Sequence, residues 1–525
     1  MPNTEGSSKT VKACLTEEET LTLLQRVPAA YNTQINDVLL TAFARAWSIC
    51  MGSRVLFTNL EGHGRENLFD DVDLSRTVGW FTSIFPVRIE IPESGDDWQP
   101  GEALKSVKEQ LLHIPQRGIG YGILRCLSGE PSLEEGPEAP VLFNYLGQLD
   151  QVTADSKLFR FAREFSGPWH SPKQRRRYPL EINSMVVDHR LEITCTHGSS
   201  DSVAKLVAQL ADEFASALRE LIAHCSTPEA KGRTSSDFPL AKLDQPTLDR
   251  LFAQNPDVED VYPLSPIQTL FFSANSGGSG SAFDQWHCTL RGTLNLAAFQ
   301  RAWQETVRRH PILRSTIHGE GLREPLQIVH RDAPLPWRIE DWRGAAAEQQ
   351  AQRWTDFLKK DRAAGLSLTD VPAMRFALVR FSEDIWKFVW SVPPLLLDGW
   401  SWPVVYRDAS RLYEALSQEL QPRLESGRNY RSYIEWLGKQ ESGEAQAFWR
   451  EYLAGFRAPT AFPTETPEPN GHHAGESYLE YGVDLSPGAT AALNAAARSL
   501  RITVGTMLLA AWSLELNRQS GAGDI

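Results

Sequence analysis

Trp386-Lys387-Phe388-Val389-Trp390-Ser391-Val392 runs directly into Pro393-Pro394-Leu395-Leu396-Leu397-Asp398-Gly399-Trp400-Ser401. The first seven residues read as a buried strand, and the strand delivers a proline pair followed by an Asp-Gly step. A proline nitrogen is an amide nitrogen with neither a proton nor an available lone pair, so this pair cannot move protons. Outward from this point, strand and helix signals alternate. Leu294–Arg309 reads as a helix. Leu180–Val187 and Arg190–Thr196 read as a strand pair turning at Asp188-His189. Leu206, Leu210, Phe214, Leu218 and Leu221 share one face of a helix over 204–222. Such alternation predicts an α/β architecture, with sheets covered by helices.

The chain has 525 residues, too many for one core, and its 42% hydrophobic content and 16 tryptophans suit several globular lobes. Formal net charge is −13, which argues against a nucleic-acid partner. The basic cluster Lys173-Gln174-Arg175-Arg176-Arg177 reads as a solvated loop beside a strand. Six cysteines lack CxxC spacing, so neither a metal site nor a disulfide framework is expected. No apolar run is long enough to span a membrane, and Met1–Ser8 has no apolar core of a signal peptide. A cytoplasmic location is the expectation. His472-His473 reads as part of a solvated loop with no Asp-Gly after it.

The chain also repeats itself. Asp37–Phe43 matches Thr506–Trp512, and Gly52 then falls on Gly521. In the first copy the next element is the strand Val55–Leu60, which delivers Glu61-Gly62-His63-Gly64-Arg65-Glu66. The second copy reaches Ile525 where that strand is due. Between the copies, the polar stretch Ser226–Ser236 marks a linker, taken as 226–256.

Four ordered segments in the first region resemble the C-terminal lobe of an epimerization domain from nonribosomal peptide synthetases. They are Glu61–Glu66, Thr77-Val78-Gly79-Trp80-Phe81-Thr82, Gly118-Ile119-Gly120-Tyr121-Gly122 and Phe143-Asn144-Tyr145-Leu146-Gly147. The second region resembles the N-terminal lobe of a condensation domain. It carries Tyr262-Pro263-Leu264-Ser265-Pro266-Ile267-Gln268, Arg309–Ser315, Tyr430–Leu437, and an HHxxxDG signature in which Pro393 and Pro394 stand for both histidines.

The resemblance implies lobes like those of chloramphenicol acetyltransferase, arranged as two half-domains joined by the linker. Residues 1–225 would form the epimerization lobe, 257–455 the condensation lobe and 456–525 the start of a further lobe. It implies Glu61, Arg65 and Tyr145 as catalytic residues, with Glu61 the proton-transfer group, Arg65 an enolate stabiliser and Tyr145 lining the tunnel, and Asn144 and His63 along the substrate tunnel. Asp398 and Gly399 would be the surviving part of the condensation motif, with Asp398 in a structural salt bridge to Arg314. No metal and no bound cofactor are implied. Substrates would be thioesters on phosphopantetheine arms of separate aminoacyl and peptidyl carrier proteins, working with neighbouring synthetase modules. Loss of both histidines predicts impaired condensation, and a non-catalytic carrier-binding module or scaffold is the alternative. The helix over 501–517, with Val504, Leu508, Ala511, Trp512 and Leu516 on one face, is expected to be mobile, to borrow a surface or to associate through an exposed apolar face.

Overall fold

Alternating burial organises the first lobe. In the computed structural model, strands β5 (Leu180–Val187) and β6 (Arg190–His197) bury every second residue. Asp188 and His189 turn the hairpin between them, both with positive φ of 50° and 62°. The described residues are 3–66, 72–93, 98–134, 138–150, 167–168, 170–275, 283–425, 427–456, 481–521, 523 and 525. They fall into two bodies, Met1–Gly438 and Lys439–Ile525.

The remaining strands of the first lobe are β1 (Lys9–Cys14), β2 (Val55–Gly62), β3 (Ser83–Glu90) and β4 (Val141–Gln148). The sheet order is β1-β6-β5-β4-β2-β3, with β4 parallel to both β2 and β5. Among the described residues its helices are α1 (Glu17–Gln25), α2 (Val27–Tyr31), α3 (Ile35–Met51), α4 (Pro100–Leu112), α5 (Ile119–Cys126), α6 (Pro131–Glu134) and α7 (Asp201–Cys225). Phe43 of α3, Phe143 of β4 and Phe214 of α7 meet in the core, with Phe43 5.8 Å from Phe143 and 5.6 Å from Phe214 between ring centres. The predicted helix and strand pair are thus present, and the helix runs a turn longer than its apolar face. The basic cluster is not wholly solvated. The side chain of Arg176 is buried, 3.2 Å from Glu181, and it donates to the Thr196 carbonyl at 3.0 Å.

Residues 226–256 are not a free linker. They contain a short 3₁₀ turn, Ser235–Asp237, and helix α8 (Gln245–Gln254). Phe238, Leu248 and Leu251 pack with Val258, Val261, Leu326 and Ile328 of the second lobe. On the other side, Lys108 of α4 donates to both carboxylate oxygens of Asp237 at 2.8 Å, the two side chains being 3% and 5% exposed. Glu109 accepts from Ser235 Oγ at 3.2 Å, and Lys105 lies 3.2 Å from Asp249. The polar residues that suggested a solvated stretch are spent on these contacts.

The second lobe has two sheets. Strands β7 (Val258–Pro263), β9 (Ser315–His318) and β10 (Leu326–His330) form the order β7-β10-β9. Strands β8 (Asp284–Arg291), β11 (Trp337–Asp341), β12 (Arg375–Arg380) and β13 (Ile385–Val392) form β11-β12-β13-β8. Helix α9 (Pro266–Asn275) follows β7, and α10 (Leu296–Arg309) and α12 (Ser401–Ser417) share an aromatic core with the larger sheet. There Trp303 and Trp390 sit 4.9 Å apart. Helix α11 (Ala347–Ala363) packs Trp354 and Phe357 with Val379 and Val389 of the same sheet. This body closes with α13 (Tyr430–Gly438), so it ends earlier than the boundary at 455 expected from sequence.

The second body holds α14 (Gly443–Tyr452), α15 (Pro487–Ser499) and α16 (Val504–Ser520). Helices α3 and α16 are both 17 residues long and both end on a left-handed glycine, Gly52 at φ 67° and Gly521 at φ 69°. The sequence repeat is therefore structural. Burial separates the copies: Leu39 and Leu40 are 0% exposed, whereas their counterparts Leu508 and Leu509 are 55% and 68% exposed. The pair His472-His473 lies outside the described residues.

Candidate functional site

Strand β2 carries Glu61 next to its end, in register with Ile84 of β3 and Asn144 of β4. The chain then turns through Gly64, whose φ is 67° and where a Cβ would overlap the Phe81 carbonyl. A cavity of about 450 Å³ opens at this end of the sheet. Its walls include Gln34, the residue before α3, Asp37 of α3, Glu61, His63, Glu66, Phe85, Arg117 and Tyr145. Asp37 is buried and accepts from the Gln34 N–H at 2.7 Å, and burial pushes its carboxyl above the ordinary range.

Glu61 is partly buried, and desolvation raises its carboxyl pKa. No described side chain forms an ion pair or hydrogen bond with that carboxylate. Tyr145 also lines the cavity, and burial raises its phenol pKa. His63 is largely exposed, 3.4 Å from Glu66, and accepts from the Arg65 N–H at 2.9 Å. It therefore braces the loop as well as lining the wall.

Two expectations are corrected. Arg65 neither pairs with Glu61 nor lines the cavity. Its guanidinium lies 4.3 Å from the Phe81 ring centre and donates to the Leu74 carbonyl at 2.5 Å. Asn144 is buried and is not among the residues of the cavity wall, which takes Phe143, Tyr145 and Leu146 from the same strand. Sequence reasoning missed Arg117, which the structure places in the wall. Its one signal was its position directly before Gly118-Ile119-Gly120-Tyr121-Gly122.

The proline motif is tied to the rest of the second lobe. Leu396 N–H donates to the Pro393 carbonyl at 3.1 Å. Gln268 Nε2 donates to the Leu395 carbonyl at 2.8 Å and to Gln327 Oε1 at 3.1 Å. Gln268 Oε1 in turn accepts from the Ser265 N–H at 2.9 Å and from the Tyr430 hydroxyl at 3.3 Å. The Tyr262–Gln268 and Tyr430–Leu437 segments thus converge on the loop that carries Pro393 and Pro394.

The expected Arg314–Asp398 bridge is absent. Arg314 donates to Glu259 of β7 at 2.6 Å, to the His330 carbonyl, and to the Arg308 carbonyl at 3.1 Å. These contacts tie its fork to the smaller sheet and to the end of α10. Asp398 instead accepts from Ser401 N–H at 2.8 Å and from Ser401 Oγ at 2.6 Å at the start of α12, and these bonds hold its carboxyl below the usual range. Gly399 beside it is exposed, with open space where a Cβ would stand. A typical hydrogen bond contributes about 1 kcal/mol net. Asp398→Ala should therefore lower the urea-unfolding free energy by about that amount, well short of the ~3–5 kcal/mol of a broken buried pair.

Among the described residues no cluster of His, Cys, Asp or Glu is placed to hold a metal ion. No described helix is long and apolar enough to cross a membrane.

The condensation-domain family model matches residues 2–243 and 258–525, and the chain belongs to that family. It is 41% identical to one of the linear gramicidin synthase proteins of Brevibacillus parabrevis over 100% of this chain and 10% of that protein. Bacitracin synthase 3 of Bacillus licheniformis is 33% identical over 99% of this chain and 8% of its own length. The chain thus spans about a tenth or less of the length of these two relatives. Among solved structures, the epimerization domain from the third module of tyrocidine synthetase B aligns at 34% identity. That alignment covers 43% of this chain and 50% of that one, with a TM-score of 0.39. The chain is thus a condensation-type chain similar to segments of these synthases, and its lobes are α/β, with sheets covered by helices.

Proposed function

We propose that the first lobe is an epimerization lobe in which Glu61 exchanges a proton with the α-carbon of a carrier-bound aminoacyl or peptidyl thioester. Glu61 supports this reading: it lines the same cavity as Tyr145, burial raises its carboxyl pKa, and no described side chain pairs with it. A carboxylate neutralised by a neighbouring arginine would favour a purely structural role, and no such arginine is present among the described residues. The substrate arrives on the phosphopantetheine arm of a separate carrier protein, within an assembly of neighbouring modules in the cytoplasm.

The second lobe is a condensation lobe impaired by Pro393 and Pro394, neither of which can take the amine proton. This replacement favours, for that lobe, the second reading of a carrier-docking module. Incubating the chain with loaded donor and acceptor carriers tests both lobes. The expected result is no dipeptidyl thioester above a protein-free control. Supplying an N-terminal lobe from a related epimerization domain should allow deuterium to enter at the α-carbon. Carrier binding without any such exchange would favour the docking module for the whole chain.

A further inference from the structure

Arg117 stands where two hollows meet. The Glu61 cavity of about 450 Å³ and an adjoining one of about 310 Å³ share Gln34, Asp37, Leu111 and Arg117 in their walls. Arg117 carries the guanidinium of the Glu61 cavity wall among the described residues. The backbone that puts it there is costly: Gln116, Arg117 and Gly118 have φ of 46°, 50° and 81° in succession. Two non-glycine residues in the left-handed region persist only where surrounding structure holds them. Here the hold is Gly118, since a Cβ there would overlap the Phe85 ring in the same wall.

The side chain is steadied from two sides. Nη1 donates to Gln34 Oε1 at 2.7 Å, and Nε lies 3.5 Å from Glu66. With a side chain 47% exposed, Arg117 still presents its outer edge to an incoming group. Lys108, in the wall of the adjoining hollow, is already spent on Asp237.

We propose that Arg117 is a further catalytic residue of this cavity, donating to the thioester oxygen as it becomes an enolate. The proposal rests on the reading of Glu61 above. When the α-carbon–hydrogen bond breaks, the proton passes to the Glu61 carboxylate and the bond's electron pair moves onto the carbonyl oxygen. The oxygen then carries the negative charge until a proton returns to carbon and the carbonyl re-forms. A cation fixed in the wall before the reaction stabilises that charge without reorganising. This is the role that sequence reasoning gave to Arg65.

Binding probes test it. The full chain carrying Glu61→Gln reproduces the protonated partner of the enolate. Titrate it with S-carboxymethyl-pantetheine, whose charge lies one bond beyond the carbon that bears the enolate oxygen, and with neutral S-propyl-pantetheine. The expected result is an anion preference of about 10-fold, typical of a charge-assisted hydrogen bond. Arg117→Met should abolish that preference while binding the neutral probe as before, and Arg117→Lys should keep part of it. Equal binding of both probes, or a preference that survives Arg117→Met, overturns the role of Arg117 and leaves Glu61 in place. Failure of the chain to bind either probe overturns the Glu61 reading and this proposal together.

Discussion

Glu61→Gln should slow α-deuterium exchange into a carrier-bound aminoacyl thioester by about 10²–10⁴-fold, the usual contribution of a positioned acid or base. Mass spectrometry of the released amino acid measures it, with a complementing N-terminal lobe present. Glutamine keeps the shape of the side chain and removes its proton-accepting charge. The pH profile gives a second readout. A base must be ionised to act, so the rate rises as Glu61 deprotonates. Because burial raises this carboxyl, the midpoint should lie above that of an ordinary glutamate. Unchanged exchange in the variant would remove Glu61 from the chemistry.

Lys108→Met should destabilise the first body by about 3–5 kcal/mol, because it strands the buried carboxylate of Asp237. Part of that charge remains served by the Thr234 N–H, which donates at 2.8 Å, and by Asn32, so the lower half of the range is expected. The double variant Lys108→Met with Asp237→Leu should recover most of the loss. Urea unfolding of all three proteins decides the matter. If the single variant unfolds like the parent, the pair is not a determinant of stability.

Much of the fold could be read from local periodicity. The hairpin at Asp188-His189 and the α3–α16 correspondence, down to Gly52 and Gly521, rest on patterns within a few residues of chain. Glu61 could be placed because a strand and a glycine-punctuated turn fix it locally. Partner choice could not. Arg314 finds Glu259 rather than Asp398, and Arg65 finds Phe81 and Leu74 rather than the cavity, because these partners are brought in from other segments by the fold. The polar segment 226–256 misled for a related reason. Its Asp237 and Asp249 look solvated in sequence and become partners only once α4 is beside them. Arg117 escaped notice because a left-handed backbone, invisible to periodicity, aims it.

Residues 226–256 therefore bear on where such chains can be recombined. A segment with Phe238, Leu248 and Leu251 sunk into the lobe after it, and Asp237 sealed against the lobe before it, belongs to both neighbours at once. A crossover placed inside it would pair one parent's Lys108 with another parent's Asp237, and one parent's Leu248 with another parent's Ile328. Chimeras should inherit α4, the segment and the β7–β10 pair from a single parent, leaving the seam to surface positions elsewhere.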